Sequence, residues 1–164
     1  TGEGIAAGDV LVGIPSNGLH TNGYTLARNV LLDAFDVNTQ LNEFGMTVGE
    51  EMLRIHRNYY PLIQSMRTSV SVKGISHVTG GGIVKNTSRL LTDNLSLDVN
   101  WGSWPVPAVF EVIEKTGNVP QEDMRQTFNM GVGLIVVVAE EQVEALLNLA
   151  DGETFYPMGR VVQA

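Results

Sequence analysis

The sequence has no cysteine. Disulfide staples and thiolate metal ligands are thereby excluded, and a reducing cytoplasm is the natural setting. Positive charge is scarce as well: 10 Lys and Arg stand against 18 Asp and Glu, a net charge of −8. A nucleic-acid surface needs a basic face, so no such partner is expected. No apolar run approaches the length of a membrane span and no signal peptide is visible, so no membrane partner is expected either. The initiator Met is missing too, and T-G-E-G-I-A-A-G-D-V leads almost at once into a strand. The ending, G-R-V-V-Q-A, stops within or just after another. Together these predict a single domain, residues 1–164, belonging to a longer chain cut at a domain boundary.

Two familiar phosphate loops are also lacking. There is no G-x-x-x-x-G-K-[ST], and Gly13, Gly18 and Gly23 do not fit G-x-G-x-x-G. What stands in their place is V-L-V-G-I-P-S-N-G-L-H-T-N-G-Y, Val10 to Tyr24. It joins a short apolar run to an amphipathic one, as a strand feeding a helix. The first N–H groups of a helix have no internal partner and that end is partly positive, so Gly, Ser, Thr and Asn there suit an anion. The same residues equally suit a tight connection with an Asn or Thr cap. Composition alone leaves both readings open.

At 43% hydrophobic the chain can bury an ordinary core. Ala27, Val30, Leu31 and Ala34 recur at helical spacing, predicting a helix from about Asn22 to Phe35 with Tyr24 packed on the same stripe. Asp36 to Gly49 reads as a polar surface loop, followed by a short helical turn through Leu53. A helix from Tyr59 to about Ser69 tolerates Pro61 in its first turn. A strand then lies within Val72 to Thr79, followed by Gly80-Gly81-Gly82 and a helical segment, Ile83 to Leu91. Three successive glycines are costly in chain entropy, so close backbone approach is expected there. A strand over Ser96 to Val99, helices over Val106–Thr116 and Gln121–Arg125, and a strongly apolar central strand over Gly133–Ala139 follow. A last helix starts at Glu140, and a strand over Phe155–Val162 ends the order. The series predicts an α+β domain with helices packed on a mixed sheet, although the alternation alone does not separate it from a doubly wound α/β fold.

Three stretches resemble one family. They are G-D-V-L-V-G-I-P-S-N-G-L-H-T-N-G-Y-T-L (Gly8–Leu26), H-V-T-G-G-G-I-V-K-N-T-S-R-L-L (His77–Leu91) and M-R-Q-T-F-N-M-G-V-G (Met124–Gly133). The chain resembles the C-terminal domain of aminoimidazole ribonucleotide synthetase, the phosphoribosylformylglycinamidine cyclo-ligase, over nearly its whole length. Selenophosphate synthetase, thiamine-phosphate kinase and the hydrogenase-maturation ATPase share the Gly-Asp strand start but not S-x-G-L-H-[ST]-N-G-Y.

The resemblance implies ATP-dependent ring closure of formylglycinamidine ribonucleotide to aminoimidazole ribonucleotide, with release of ADP and phosphate, in purine biosynthesis. It implies an N-terminal domain holding most of the ATP and Mg2+ site and the homodimer interface. This chain would supply the other wall of an interdomain cleft and be inactive alone. Ser16, Asn17, Gly18, Thr21, Asn22 and Gly23 would form one part of that wall, and Thr79, Gly80, Gly81 and Gly82 another, both presenting donors to phosphate or substrate amide. His20 would donate to the formyl oxygen or its phosphoryl group; the alternative is that it ties the loop together by hydrogen bonds. His77 reads as a satisfied, partly buried histidine, and His56 lies outside every motif. Three histidines without clustered acids predict no metal site.

The family usually has Ser at the places of Asn17 and Thr21, Glu and Pro at those of Lys85 and Ser88, and Pro-Thr before Arg57 where this chain has Ile55-His56. Other readings are a stand-alone phosphometabolite-binding module and a different ATP-dependent enzyme of the same superfamily. The missing start argues against the first, and S-N-G-L-H-T-N-G-Y against the second.

Overall fold

The computed structural model describes residues 2–164. The elements run β1 (Val10–Pro15), α1 (Tyr24–Ala34), β2 (Gln40–Leu41), β3 (Met46–Thr47), α2 (Val48–Met52), α3 (Tyr60–Ser69) and β4 (Val72–His77). They continue with α4 (Gly82–Ser88), β5 (Leu95–Val99), α5 (Ala108–Gly117), α6 (Gln121–Thr127), β6 (Val132–Val138), α7 (Val143–Leu147) and β7 (Tyr156–Gln163).

Five strands form one sheet in the order β4-β6-β1-β7-β5. All seven residues of β6 are buried, as its unbroken apolar run requires of a strand covered on both faces. Side chains alternate along a strand, so β1 and β6 each feed two cores. Val10, Val12 and Ile14 pack with Leu134, Val136 and Val138 against Met66 of α3 and Leu146 of α7. Leu11, Ile135 and Val137 point the other way, toward Ile83 of α4, Met158 and Val161.

The α+β class and the helix-covered sheet are as expected, but the sheet's directions are not mixed. Each pairing within it, β1 with β6 and β7, β4 with β6, and β5 with β7, is antiparallel. Alternation of strands and helices leaves direction open, because a helix can return the chain to either end of the sheet. Asp36 to Gly49 also departs from a plain loop. It holds the β2–β3 hairpin, and a capping box between Thr47 and Glu50 starts α2. Two-residue strands are too short for a period-2 signal. The last helical stretch is divided, with tighter turns at Glu140–Gln142 and Asn148–Ala150 on either side of α7. Among the described residues no helix is long and apolar enough to cross a membrane.

A third cluster joins α1, α2, α5 and α6 through Ala27, Leu31, Val48, Met52, Phe110, Ile113, Met124 and Phe128. The Phe110 and Phe128 rings lie 5.5 Å apart, centre to centre, a separation typical of attractive aromatic pairs. Phe128 also sits under the start of α1: a Cβ on Gly23, which has φ +76°, would fall 2.4 Å from its ring. The loop between β1 and α1 is therefore seated on the helical core.

Candidate functional site

Two loops leave the same end of the sheet, one after β1 and one after β4, on either side of β6. Ser16 N–H donates to the Gly131 carbonyl (2.8 Å) and Val78 N–H to the Gly133 carbonyl (2.9 Å). The start of β6 thus holds both loops in register.

The first loop is braced mainly by its polar side chains. Ser16 Oγ donates to Asn129 Oδ1 (2.8 Å), and Asn129 Nδ2 donates to the Gly18 carbonyl (2.8 Å). Asn17 Nδ2 donates to the Ile55 carbonyl and Asn22 Nδ2 to the Thr127 carbonyl (2.7 Å). Arg54 adds a bond from Nη1 to the Asn17 carbonyl (3.0 Å) while its Nε pairs with the buried Glu51 (2.9 Å). Thr21 is exposed. Ser16, Asn17 and Asn22 accordingly spend these donors on the protein. Asn129, fully buried, carries the chain into β6 as a bracket rather than facing out.

His20 behaves differently. It is 6% exposed, adopts φ +55°, and among the described residues neither ring nitrogen finds a hydrogen-bond partner. It therefore does not tie the loop together. Both His56, half-buried before α3, and His77, exposed at the end of β4, come to it: ring centroids are 3.9 Å from His20 to His56 and 5.4 Å from His56 to His77. His77 is thus not the partly buried, satisfied residue expected. Tyr59 stands edge-on to the group and donates from its hydroxyl to the Pro15 carbonyl (2.9 Å). Burial, with the positive charge available to His56, His77 and Arg57, pushes His20 down to about 4.

The sign of that shift sets a pH dependence. The unfolded chain binds a proton on this residue below about 6.5, the folded chain only below about 4. Between those values the unfolded state holds more protons, so stability falls as pH falls. Denaturation midpoints in chelator-containing buffer are expected to decline from about pH 6.5 to about pH 4. The decline should be shallower in His20→Asn, which tolerates the left-handed backbone.

The triple glycine after β4 is also engaged internally. Gly81 N–H donates to the Gln126 carbonyl (2.9 Å) and Gly82 N–H to the Thr79 carbonyl (3.0 Å). Thr79 Oγ1 donates to Asn86 Oδ1, and the buried Asn86 donates from Nδ2 to Gly82 (2.7 Å). The expected close approach is made by the chain's own α6. The last carbonyls of a helix have no partner within it, and here those of Gln126 and Thr127 hold one loop each. Gly80 alone of the three is exposed. Beyond this loop lies an open groove of about 840 Å³ lined in part by Gly81, Lys85, Trp101, Glu122 and Arg125. Arg125 lies 4.2 Å above the Trp101 ring, and among the described residues neither Lys85 nor Arg125 forms an ion pair with an acid.

Mg2+ needs oxygen ligands in near-octahedral geometry. Among the described residues the one candidate ligand group of three is all imidazole, His20, His56 and His77, which does not suit that ion. Of the residues singled out from sequence, the structure brings His20 and His77 together and leaves Thr21 and Gly80 open. Asn86, Tyr59, Gly133 and the Glu51–Arg54 pair were not singled out, and only for Asn86 was there a local signal, its place just after the glycines.

Comparison with known proteins agrees with this architecture. The profile of the family described as AIR synthase related protein, C-terminal domain, matches residues 6–164. The phosphoribosylformylglycinamidine cyclo-ligase of Alkaliphilus oremlandii is 41% identical over 168 residues, covering 99% of this chain and 49% of that protein. That of Bacillus subtilis is 39% identical, covering 98% and 48%. The chain thus spans about half the length of the curated relatives it matches. Among solved structures, E. coli HypE, a hydrogenase maturation protein, superposes with a TM-score of 0.62 at 21% identity, covering all of this chain and 46% of that one. Thiamine monophosphate kinase from Aquifex aeolicus gives 0.63 at 10%, covering 98% and 49%. At such identities the likeness is one of fold. With a profile match over nearly its full length and relatives near 40% identity, the chain belongs to the AIR synthase related family, as its C-terminal domain.

Proposed function

We propose that this chain is the substrate-side domain of an ATP-dependent cyclo-ligase that converts formylglycinamidine ribonucleotide to aminoimidazole ribonucleotide. The companion domain would bind ATP and Mg2+ and form most of a homodimer interface. No step is assigned to the metal here, since the residues of this domain do not fit it. In the reaction, ATP phosphorylates the formyl oxygen, the amidine nitrogen attacks the formyl carbon to form the ring C–N bond, and the C–O bond breaks with phosphate leaving.

The observation that carries this reading is His20, a buried histidine with unused ring nitrogens in the S-N-G-L-H-T-N-G-Y loop. Being neutral at physiological pH, it has one ring N–H to offer to the formyl oxygen. A preorganised donor aimed at an oxygen that gains charge stabilises the transition state more than the substrate. Arg125 and Lys85 suit the ribonucleotide phosphate in the groove beside the glycines, where local charge outweighs the chain's net charge at contact distance.

In the full-length enzyme His20→Ala is expected to lower kcat at least tenfold, about 1.4 kcal/mol of transition-state stabilisation. His20→Asn, which keeps the left-handed backbone, separates loss of the imidazole from loss of the loop. Unchanged steady-state kinetics in both variants would remove His20 from the chemistry.

A further inference from the structure

We propose that His20, His56 and His77 form a site for one late first-row divalent cation of the zinc class. The three residues come from three segments: the loop after β1, the stretch before α3, and the end of β4. One ligating atom from each lies within 4.8 Å of the others. Tetrahedral zinc with bonds of about 2.0–2.1 Å places its nitrogens roughly 3.3 Å apart. The nitrogens therefore need to close by about 1.5 Å or less, within the reach of modest rotations about the histidine side-chain bonds.

Each histidine contributes a different feature. His20 is buried and, among the described residues, both its ring nitrogens are unpartnered, a condition rare enough in native interiors to require a cause. A bound cation supplies one. His56 Nδ1 lies 2.8 Å from the Arg57 carbonyl. As donor to that oxygen, Nδ1 carries the proton and Nε2 is left with the lone pair, the outer arrangement that orients metal-binding imidazoles. His77 is exposed and lines a hollow of about 300 Å³ with Tyr59, Ile63, Ile75 and Leu134. The exposed side of His77 leaves the group open to solvent there, from which a water can serve as fourth ligand.

The donor set decides the class of ion. Three neutral imidazoles suit zinc, nickel, cobalt or copper and are poor ligands for magnesium or calcium. The nearby Arg57 charge opposes a cation, but Arg57 is paired with Glu153 and donates to the Pro15 carbonyl. Gly133 makes room for the group: a Cβ there would lie 2.6 Å from His20 Cε1.

The test uses the untagged, metal-free 164-residue chain, which buries cores of its own on both faces of the sheet. Zn2+ is titrated in competition with a chromophoric chelator, and Co2+ is followed by its visible absorption. The expected result is one Zn2+ per chain, an intense tetrahedral Co2+ band, and a rise in Tm with added Zn2+. His56→Ala and His77→Ala should each weaken Zn2+ at least tenfold while leaving the metal-free Tm near that of the parent. His77→Ala changes an exposed side chain, so it keeps the test valid if His56→Ala folds poorly. Absence of one-to-one binding, a pale octahedral Co2+ spectrum, or His77→Ala binding Zn2+ as tightly as the parent would overturn the site. These readouts need no turnover, so they stand or fall apart from the cyclo-ligase reading.

Discussion

Gly82→Ala is expected to destabilise the chain by about 4 kcal/mol or more, while Gly80→Ala two residues earlier changes stability by about 0.5 kcal/mol or less. The contrast follows from what each position meets. Gly82 has φ +69°, and a Cβ on it would stand 1.8 Å from the Arg125 carbonyl oxygen and 2.9 Å from its carbon. Those are backbone atoms, so no rotamer change relieves the contact, and α6 must shift as a body. That shift would pull on the Gly81–Gln126 bond and on the Asn22–Thr127 bond, loosening both loops together. The left-handed backbone adds its own cost for a residue with a Cβ. At Gly80 no atom of the described residues lies within 4 Å of the added methyl, and φ is not in the left-handed region. Removing a glycine there even trims the entropy of the unfolded chain. Chemical denaturation of both variants decides it. Equal effects would mean that the glycine run is not distinguished by its packing on α6.

Gly133→Ala is expected to cost about 3 kcal/mol and to disorder the histidine group. A Cβ at Gly133 would lie 1.9 Å from Tyr59 Oη, 2.8 Å from Cζ, and 2.6 Å from His20 Cε1. The Tyr59 hydroxyl would have to leave the Pro15 carbonyl, and the ring is packed in the core with Met66 and Leu134. Tyr59→Phe alone forfeits that hydrogen bond, about 1 kcal/mol. In the double variant the closest clash is gone, so the combined loss should fall short of the sum by about 1 kcal/mol or more. Denaturation midpoints of the parent, both single variants and the double variant measure this coupling. Strict additivity would show that the methyl acts through His20 or the strand rather than through the hydroxyl.

These two glycines mark where sequence reasoning was weakest. The glycine run signalled close approach, and the ready guess was a ligand; the neighbour at Gly82 is the chain's own α6. Gly133 sits at the edge of the most apolar strand and gave no signal, since its importance comes from Tyr59 and His20 in other segments. Ser16, Asn17 and Asn22 have the composition of an anion loop, yet each braces the fold, because a donor's target depends on what is brought beside it. Asn129 is buried and braces Ser16 and Gly18, a role its sequence position does not show. His56 fell at a departure from the family pattern and His77 was read as satisfied; their meeting with His20 depends on three segments converging at the start of β6.

The sequence by itself determined what short-range physics controls. Apolar periods placed the central strand β6 and helix α1, with ends displaced by a residue or two. The absence of cysteine excluded disulfides and thiolate ligands, and the S-N-G-L-H-T-N-G-Y and triple-glycine stretches pointed to the family. Only the tertiary structure decided strand direction, which loop donors are free, and that three scattered histidines form one group. The reason is range: periodicity and turn chemistry act over a few residues, whereas these outcomes are set by contacts between segments distant in the chain, which exist only once β4, β6 and β1 have paired.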